Sequence, residues 1–248
     1  MGVDLTATQS TAEAVAAEWG VTLGTPFALS RYSYVAPVGA DRVLKVAWRG
    51  DEESLDEAAA LALWNGDGAV RLHRADRDRR ALLAERAVPG TDIAELDDEE
   101  ATAIAVEVST RLWRPAAAPF RPVTEHVARW IENEPSPLIG RARELLAELD
   151  SQHDWVVHGD LHHHNILRHG DRYVAIDPKP YLADREYDVY SFLVNPLSYR
   201  IERETTERRI GQFAAAGLDE WRIRAWAIVR GSFLSDEHEL LGSLLDAG

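Results

Sequence analysis

The sequence predicts an α+β chain in two lobes: a small antiparallel-sheet lobe over residues 1–87, then a mostly helical lobe over residues 88–248. Three observations carry this expectation. Before residue 87, β-branched and aromatic residues recur in short runs separated by turn formers, the pattern of hairpins. After Pro89-Gly90 the pattern changes to longer segments with helical spacing. Inside the helical part, the apolar runs Val156-Val157 and Tyr173-Val174-Ala175-Ile176 flank a polar stretch and predict a second, smaller β region. The chain has 248 residues, 46% of them hydrophobic, enough to build two small cores.

In chain order, Thr8 to Trp19 reads as a short helix rich in Ala and Glu, stopped by Gly20. Pro26 to Val38 and Val43 to Trp48 form a hairpin across Gly39-Ala40-Asp41-Arg42. Asp51 to Trp64 is the next helix, closed by Asn65-Gly66. Ala69 to His73 and Arg80 to Arg86 make a second strand pair, and a helix is expected from about Thr91 to Trp113 with Asp92 and Glu95 in its acidic first turn. Pro115, Pro119 and Pro122 stiffen a loop before helices at Thr124–Glu134 and Leu138–Leu149, split by Pro135-Ser136-Pro137. After the β region, a helix is expected over Asp184–Leu193, and three amphipathic helices over Glu202–Leu245, broken at Gly217 and near Ser235.

Composition narrows the functional classes. Cysteine is absent, which excludes disulfides, thiolate metal sites and a cysteine nucleophile. A net charge of -15 argues against nucleic acid as a partner, since phosphate backbones want a basic face, and favours a cationic ligand. No apolar run is long enough for a bilayer and the acidic N-terminus has no signal-peptide pattern, so the reading is a cytoplasmic protein with no membrane partner. Oligomeric state is not legible.

The chemistry concentrates in His158-Gly159-Asp160-Leu161-His162-His163-His164-Asn165, an H-x-D-L-x-x-x-N pattern between apolar runs. This has the form of a kinase catalytic loop. Phosphoryl transfer needs a carboxylate to take the proton of the attacking hydroxyl, and an amide and a second carboxylate for the magnesium that bridges the ATP phosphates. Asp160, Asn165 and Asp177 are the right types in the right order, and the polar Arg168–Arg172 turn lets the chain fold back toward Asp177. The His162-His163-His164 run invites a zinc reading; with no cysteine and no i, i+4 His pair, the three read better as spacers. Lys45 sits mid-strand, where a kinase lysine grips the α- and β-phosphates and pairs with a glutamate of the next helix; Glu57 is the candidate partner and Glu53 the second choice. Read alone, Lys45 would be an edge-strand lysine that discourages aggregation. No glycine-rich loop precedes it, so hydroxyls and N–H groups of Ser30 to Ser33 are the candidate phosphate cover.

These residues resemble the aminoglycoside phosphotransferase superfamily, in particular its streptomycin 6-phosphotransferase and hydroxyurea phosphotransferase branch. The likeness runs through Val43-Leu44-Lys45-Val46, Glu57 to Leu61, Gly66 to Leu72, Ala81 to Gly90, His158 to Leu167 and Ala175 to Pro180. It implies a protein-kinase-like two-lobed fold with ATP and Mg2+ as cofactors. Position by position it implies Asp160 as catalytic base, Asn165 and Asp177 as magnesium ligands, and Lys45 with Glu57 on the nucleotide phosphates. Ser33 joins the phosphate cover, and adenine lies against the backbone of Glu85 to Ala87. Where the family usually carries a glycine before an acidic residue, this chain reads Tyr181-Leu182-Ala183-Asp184. The implied reaction moves phosphate from ATP to a hydroxyl of a small molecule, a cationic aminoglycoside such as streptomycin, with Asp184, Glu202, Asp236 and Glu239 as candidate acceptor-binding carboxylates. Two alternatives stand beside it: a hydroxyurea or other small-metabolite kinase, and a kinase-like module that binds nucleotide without turnover.

Overall fold

The computed structural model describes residues 5–28, 32–133, 136–151, 154–196, 202–234 and 238–245. The chain opens with α1 (Thr6–Trp19), followed by β1 (Ser33–Val38), β2 (Arg42–Ala47) and a 3-10 turn (Glu52–Asp56) that runs into α2 (Glu57–Trp64). Next come β3 (Leu72–Asp76), β4 (Ala81–Glu85), β5 (Pro89–Asp92), α3 (Asp98–Leu112) and the short β6 (Arg114–Pro115). Helices α4 (Val123–Asn133) and α5 (Ile139–Leu149) precede β7 (Trp155–Val157), the hairpin β8 (Ile166–His169) and β9 (Arg172–Ala175), and β10 (Tyr181–Ala183). A 3-10 turn (Arg185–Asp188) enters α6 (Val189–Leu193), and α7 (Arg203–Ala215), α8 (Glu220–Leu234) and α9 (His238–Gly242) follow.

Two compact units result, Met1–Thr91 with Leu167–Lys179, and Asp92–Ile166 with Pro180–Gly248. The division read from composition ran 1–87 and 88–248; by packing, the segment ending in Asp177 lies with the first unit. Backbone hydrogen bonds explain why. Ala175 N–H donates to Gly68 O (2.8 Å), Val70 N–H to Ala175 O (3.1 Å) and Gly170 N–H to Val88 O (2.8 Å).

The first unit is built on a four-stranded antiparallel sheet in the order β1-β2-β4-β3. Side chains alternate across a strand, so Leu44 and Val46 of β2 share one face while Lys45 points to the other. On the first face, α1 lays Ala12, Val15 and Ala16 against Val38, Leu44, Val46, Ala81 and Leu83 in a continuous core. The second face carries Lys45 among the buried Ala47, Leu82 and Ala84. β1 is shorter than the expected strand from Pro26; before it, Gly24 and Phe27 N–H donate to Pro37 and Val35 carbonyls without forming a regular strand.

Among the described residues, the second unit carries the short sheet β10-β7-β6 and the seven α-helices α3 to α9. Helix α8 is buried nearly all round, from Ile223 and Trp226 to Val229 and Ser232, and is the central helix of this unit. Arg209 of α7 is fully buried; it pairs with Asp98 of α3 (2.6 Å) and donates to the carbonyls of Phe192, Leu193 and Asn195. The helix expected from Thr91 begins later, at Asp98. Residues 89–92 are strand, and Asp97 is the cap, its carboxylate accepting from Glu99 N–H (3.0 Å). Among the described residues, no helix is long and apolar enough to cross a membrane.

Candidate active site

In the first unit, the 3-10 turn and α2 bring Glu57 to the Lys45 face of the sheet, at the N-terminal end of α2 where the helix dipole favours a carboxylate. Lys45 Nζ lies 2.7 and 2.8 Å from the two Glu57 oxygens and 2.5 Å from Asp177 Oδ1. The Lys45 and Glu57 side chains are 9% and 5% exposed, whereas Asp177 is 40% exposed and forms the open edge of the cluster. Burial alone would push the Lys45 ammonium down, but the Asp177 and Glu57 carboxylates outweigh it and hold it above the usual lysine range. Burial pushes the Glu57 carboxyl up, against the pull of Lys45. The Lys45–Glu57 pairing read from the sequence is therefore present, and the second choice, Glu53, is not needed. Asp177 has a φ of 55°, the left-handed region that a non-glycine residue seldom adopts. It follows β9, whose end is pinned by Gly68 and Val70, and precedes Pro178.

Two residues of this cluster are additions to the sequence reading. Lys179 Nζ lies 3.0 Å from Asp51 Oδ2 and 3.6 Å from the same Asp177 oxygen that Lys45 contacts. One indirect sign was legible, Pro178 and Pro180 on either side of this lysine.

In the second unit, β7 delivers the chain into the loop at His158. Gly159 takes a φ of 81°, a conformation glycine adopts at little cost. The loop is held from beneath by Asp188, fully buried, whose carboxylate accepts from His158 N–H (2.9 Å), Gly159 N–H (2.7 Å) and Trp113 Nε1–H (3.0 Å). Burial pushes its carboxyl up, and those three donors pull the other way. Arg230 of α8 donates to Gly159 O (2.8 Å) and Tyr187 O (3.0 Å). Neither Asp188 nor Arg230 was singled out from sequence.

So fixed, the loop presents Asp160 with its carboxylate 38% exposed. Ser191 Oγ donates to Asp160 Oδ1 (3.3 Å), and His162 Nε2 stands 3.7 Å from Oδ2. Asn165 Nδ2 donates to Asp160 O (2.9 Å) and lies 3.2 Å from His162 Nε2, which leaves the amide oxygen as its acceptor end. The three histidines have separate places. His163 is buried and stacked on Phe192 at 4.1 Å, with burial and Arg209 holding its ring down to about 3, while His164 pairs with Asp92 (2.7 Å).

The remaining expected residues are spread out. Ser33 is buried at the start of β1, paired with Ala47, so a strand position replaces the expected covering loop there; Ser30 lies outside the described residues. Glu85 and Arg86 use their N–H groups on Arg71 O and Asp41 O, and the Glu85 side chain meets His169 (3.2 Å), which leaves the backbone near Ala87 as the hinge candidate. Asp184 is buried, and its carboxylate accepts from Ser151 Oγ (3.0 Å) at one oxygen and from Trp226 Nε1 (2.9 Å) and Arg222 (2.5 Å) at the other, so protein donors already hold this expected acceptor carboxylate. Glu202 is exposed at the start of α7 and Glu239 is exposed in α9, while Asp236 lies outside the described residues.

The architecture defines a class. A choline/ethanolamine kinase family protein from Mesorhizobium loti superposes with a TM-score of 0.65 over 96% of this chain and 83% of its own, at 16% identity. The fold is the protein-kinase-like one of small-molecule kinases. Residues 19–236 match the aminoglycoside/hydroxyurea antibiotic resistance kinase family, and the chain belongs to it. It is 34% identical over 186 residues to streptomycin 3''-kinase of Klebsiella pneumoniae, covering 66% of this chain and 65% of that protein. It is 30% identical over 239 residues to hydroxyurea phosphotransferase of Kitasatospora aureofaciens, covering 86% and 67%. The chain thus spans about two thirds of the length of these curated relatives.

Proposed function

We propose that the chain transfers the γ-phosphate of ATP to a hydroxyl of a small cationic acceptor, an aminoglycoside such as streptomycin. The observation that carries this reading is Lys45 held between Glu57 and Asp177, an arrangement that fixes a buried ammonium beside a partly exposed carboxylate. In this reading Lys45 grips the nucleotide phosphates, Glu57 positions it, and the backbone near Ala87 meets the adenine ring. Asp160 takes the proton as the acceptor oxygen bonds to the γ-phosphorus and the bond to the ADP oxygen breaks.

The donor set suits magnesium, a hard cation that prefers oxygen and binds through one or two side chains plus phosphates. Asp177 offers a partly exposed carboxylate, and Asn165 an amide oxygen oriented by the two contacts of its nitrogen. These two residues would hold the ion, which when bound neutralises charge on the phosphates.

The net charge of -15 and the likeness to a streptomycin kinase support a cationic acceptor. Of the expected acceptor carboxylates, Glu202 and Glu239 remain candidates, with Asp236. A second reading, a small neutral acceptor such as hydroxyurea, is favoured by the longer likeness to the hydroxyurea phosphotransferase. ADP release measured over aminoglycosides and hydroxyurea decides. Turnover with streptomycin supports the first reading and turnover with hydroxyurea alone the second. Tight nucleotide binding with no turnover on any of them overturns both in favour of a binding module.

A further inference from the structure

Five charged side chains of the first unit form a continuous row: Glu57, Lys45, Asp177, Lys179, Asp51. The row is nearly symmetric about Asp177. Each lysine has a buried carboxylate of its own, Glu57 at 2.7 Å for Lys45 and Asp51 at 3.0 Å for Lys179, and each also reaches Asp177 Oδ1. The outer carboxylates are 5% and 9% exposed; Asp177, between the two ammonium groups, is the open member at 40%. Both lysine side chains are buried, at 9% and 13% exposure, and both ammonium groups converge on Asp177 Oδ1, an oxygen of the most exposed member of the row. An isolated surface lysine would not be built this way, since ordering and desolvating a long cationic side chain costs free energy that a single exposed ion pair does not return. Its chain direction is also fixed, because Pro178 and Pro180 restrict the backbone on both sides.

We infer that Lys179 is a second phosphate-binding lysine, contacting the β- or γ-phosphate of a nucleoside triphosphate beside Lys45, with Asp51 as its positioning residue. The inference rests on the reading of Lys45 and Asp177 as the phosphate end of a nucleotide site. Two converging ammonium groups supply the charge that a glycine-rich loop supplies elsewhere through backbone N–H groups, and this chain has no such loop before Lys45.

The test is calorimetric binding of ATP, ADP and AMP to wild type, Lys179→Met, Lys179→Arg and Lys45→Met, with folding checked by circular dichroism. Loss of one charge-assisted phosphate contact predicts about tenfold or more weaker ATP binding by Lys179→Met, partial recovery in Lys179→Arg, and AMP affinity within about twofold of wild type. A purely structural lysine would weaken all three nucleotides alike or none, and either pattern overturns the inference. Should Lys179→Met misfold because Asp51 is left buried without its partner, the double variant Lys179→Met/Asp51→Asn removes both charges and must show the same selective loss of ATP. Lys45→Met separates the two levels of the argument. If it weakens ATP binding while Lys179→Met does not, only this inference fails; if it leaves ATP binding unchanged, the reading of the site fails and the inference with it.

Discussion

Replacing Asp188 by asparagine changes one oxygen for an amide nitrogen at nearly constant volume, and the structure says what that costs. Oδ2 accepts from His158 N–H and Trp113 Nε1–H, and Oδ1 from Gly159 N–H. The better rotamer of the asparagine keeps its oxygen at the two-donor position and turns its NH2 toward Gly159 N–H. One charge-assisted hydrogen bond is lost, one buried donor is left unsatisfied, and the two surviving bonds lose the acceptor's charge. Together these come to about 2–4 kcal/mol. At roughly 2–4 °C per kcal/mol for a chain of this size, the melting temperature should fall by about 5–15 °C. Asp188→Ala orphans all three donors and should cost more than the asparagine. Urea titration and scanning calorimetry read the stability, and turnover read beside them should drop because the loop carrying Asp160 loses its anchor. An Asp188→Asn protein within about 0.5 kcal/mol of wild type would refute the claim that this carboxylate holds the loop.

Four further outcomes are expected. Asp160→Ala should cut turnover by roughly 10²–10⁴ while leaving ATP binding largely intact, measured by steady-state kinetics and calorimetry; a loss below about tenfold removes it from the base role. Glu57→Gln strands a buried ammonium that then leans on Asp177 alone, and breaking such a pair should destabilise the first unit by about 3–5 kcal/mol in urea titration. Arg209→Met leaves the carbonyls of Phe192, Leu193 and Asn195 without this donor and Asp98 with Arg208 alone, with a loss of about 3–5 kcal/mol by the same measurement. His163 is held neutral, its ring pulled down to about 3 against roughly 6.5 in the unfolded chain, so its contribution is complete above about pH 6.5 and is lost as pH falls toward 3. The slope is about 1.4 kcal/mol per pH unit, and His163→Phe should therefore shrink the stability difference between pH 7 and pH 5 by about 2 kcal/mol.

What could be read from the sequence was what is local in it. The loop from His158 to Asn165 is a fixed spacing in one stretch, and the Lys45–Glu57 pair joins a strand to the helix that follows, so both were legible. The hairpin β8–β9 was legible from its polar turn, with Gly170 at a φ of 62°. Lys179 and Asp51 are 128 positions apart, and only the fold brings them together. Asp188 looked like the ordinary first turn of a helix, although a carboxylate directly ahead of the apolar run Val189-Tyr190-Ser191-Phe192-Leu193 was a usable sign of a buried acceptor. Asp184 shows the converse. It stood in a segment where the resemblance expects an acidic residue, and Arg222 and Trp226 reach one of its oxygens from a helix about forty residues on. The late start of α3 has a similar origin, since Asp97 and Asp92 both sit in plausible capping positions and the strand β5 takes the earlier one.

The most direct test of the account follows the γ-phosphate itself. Labelled ATP and magnesium are incubated with streptomycin and with hydroxyurea, using wild type and Asp160→Asn, and the acceptor is analysed for phosphate. One labelled phosphate on the acceptor per ADP formed is expected for wild type, and little for Asp160→Asn although it still binds ATP. Equal transfer by both proteins, or ADP formed with no phosphate on either acceptor, would contradict the account.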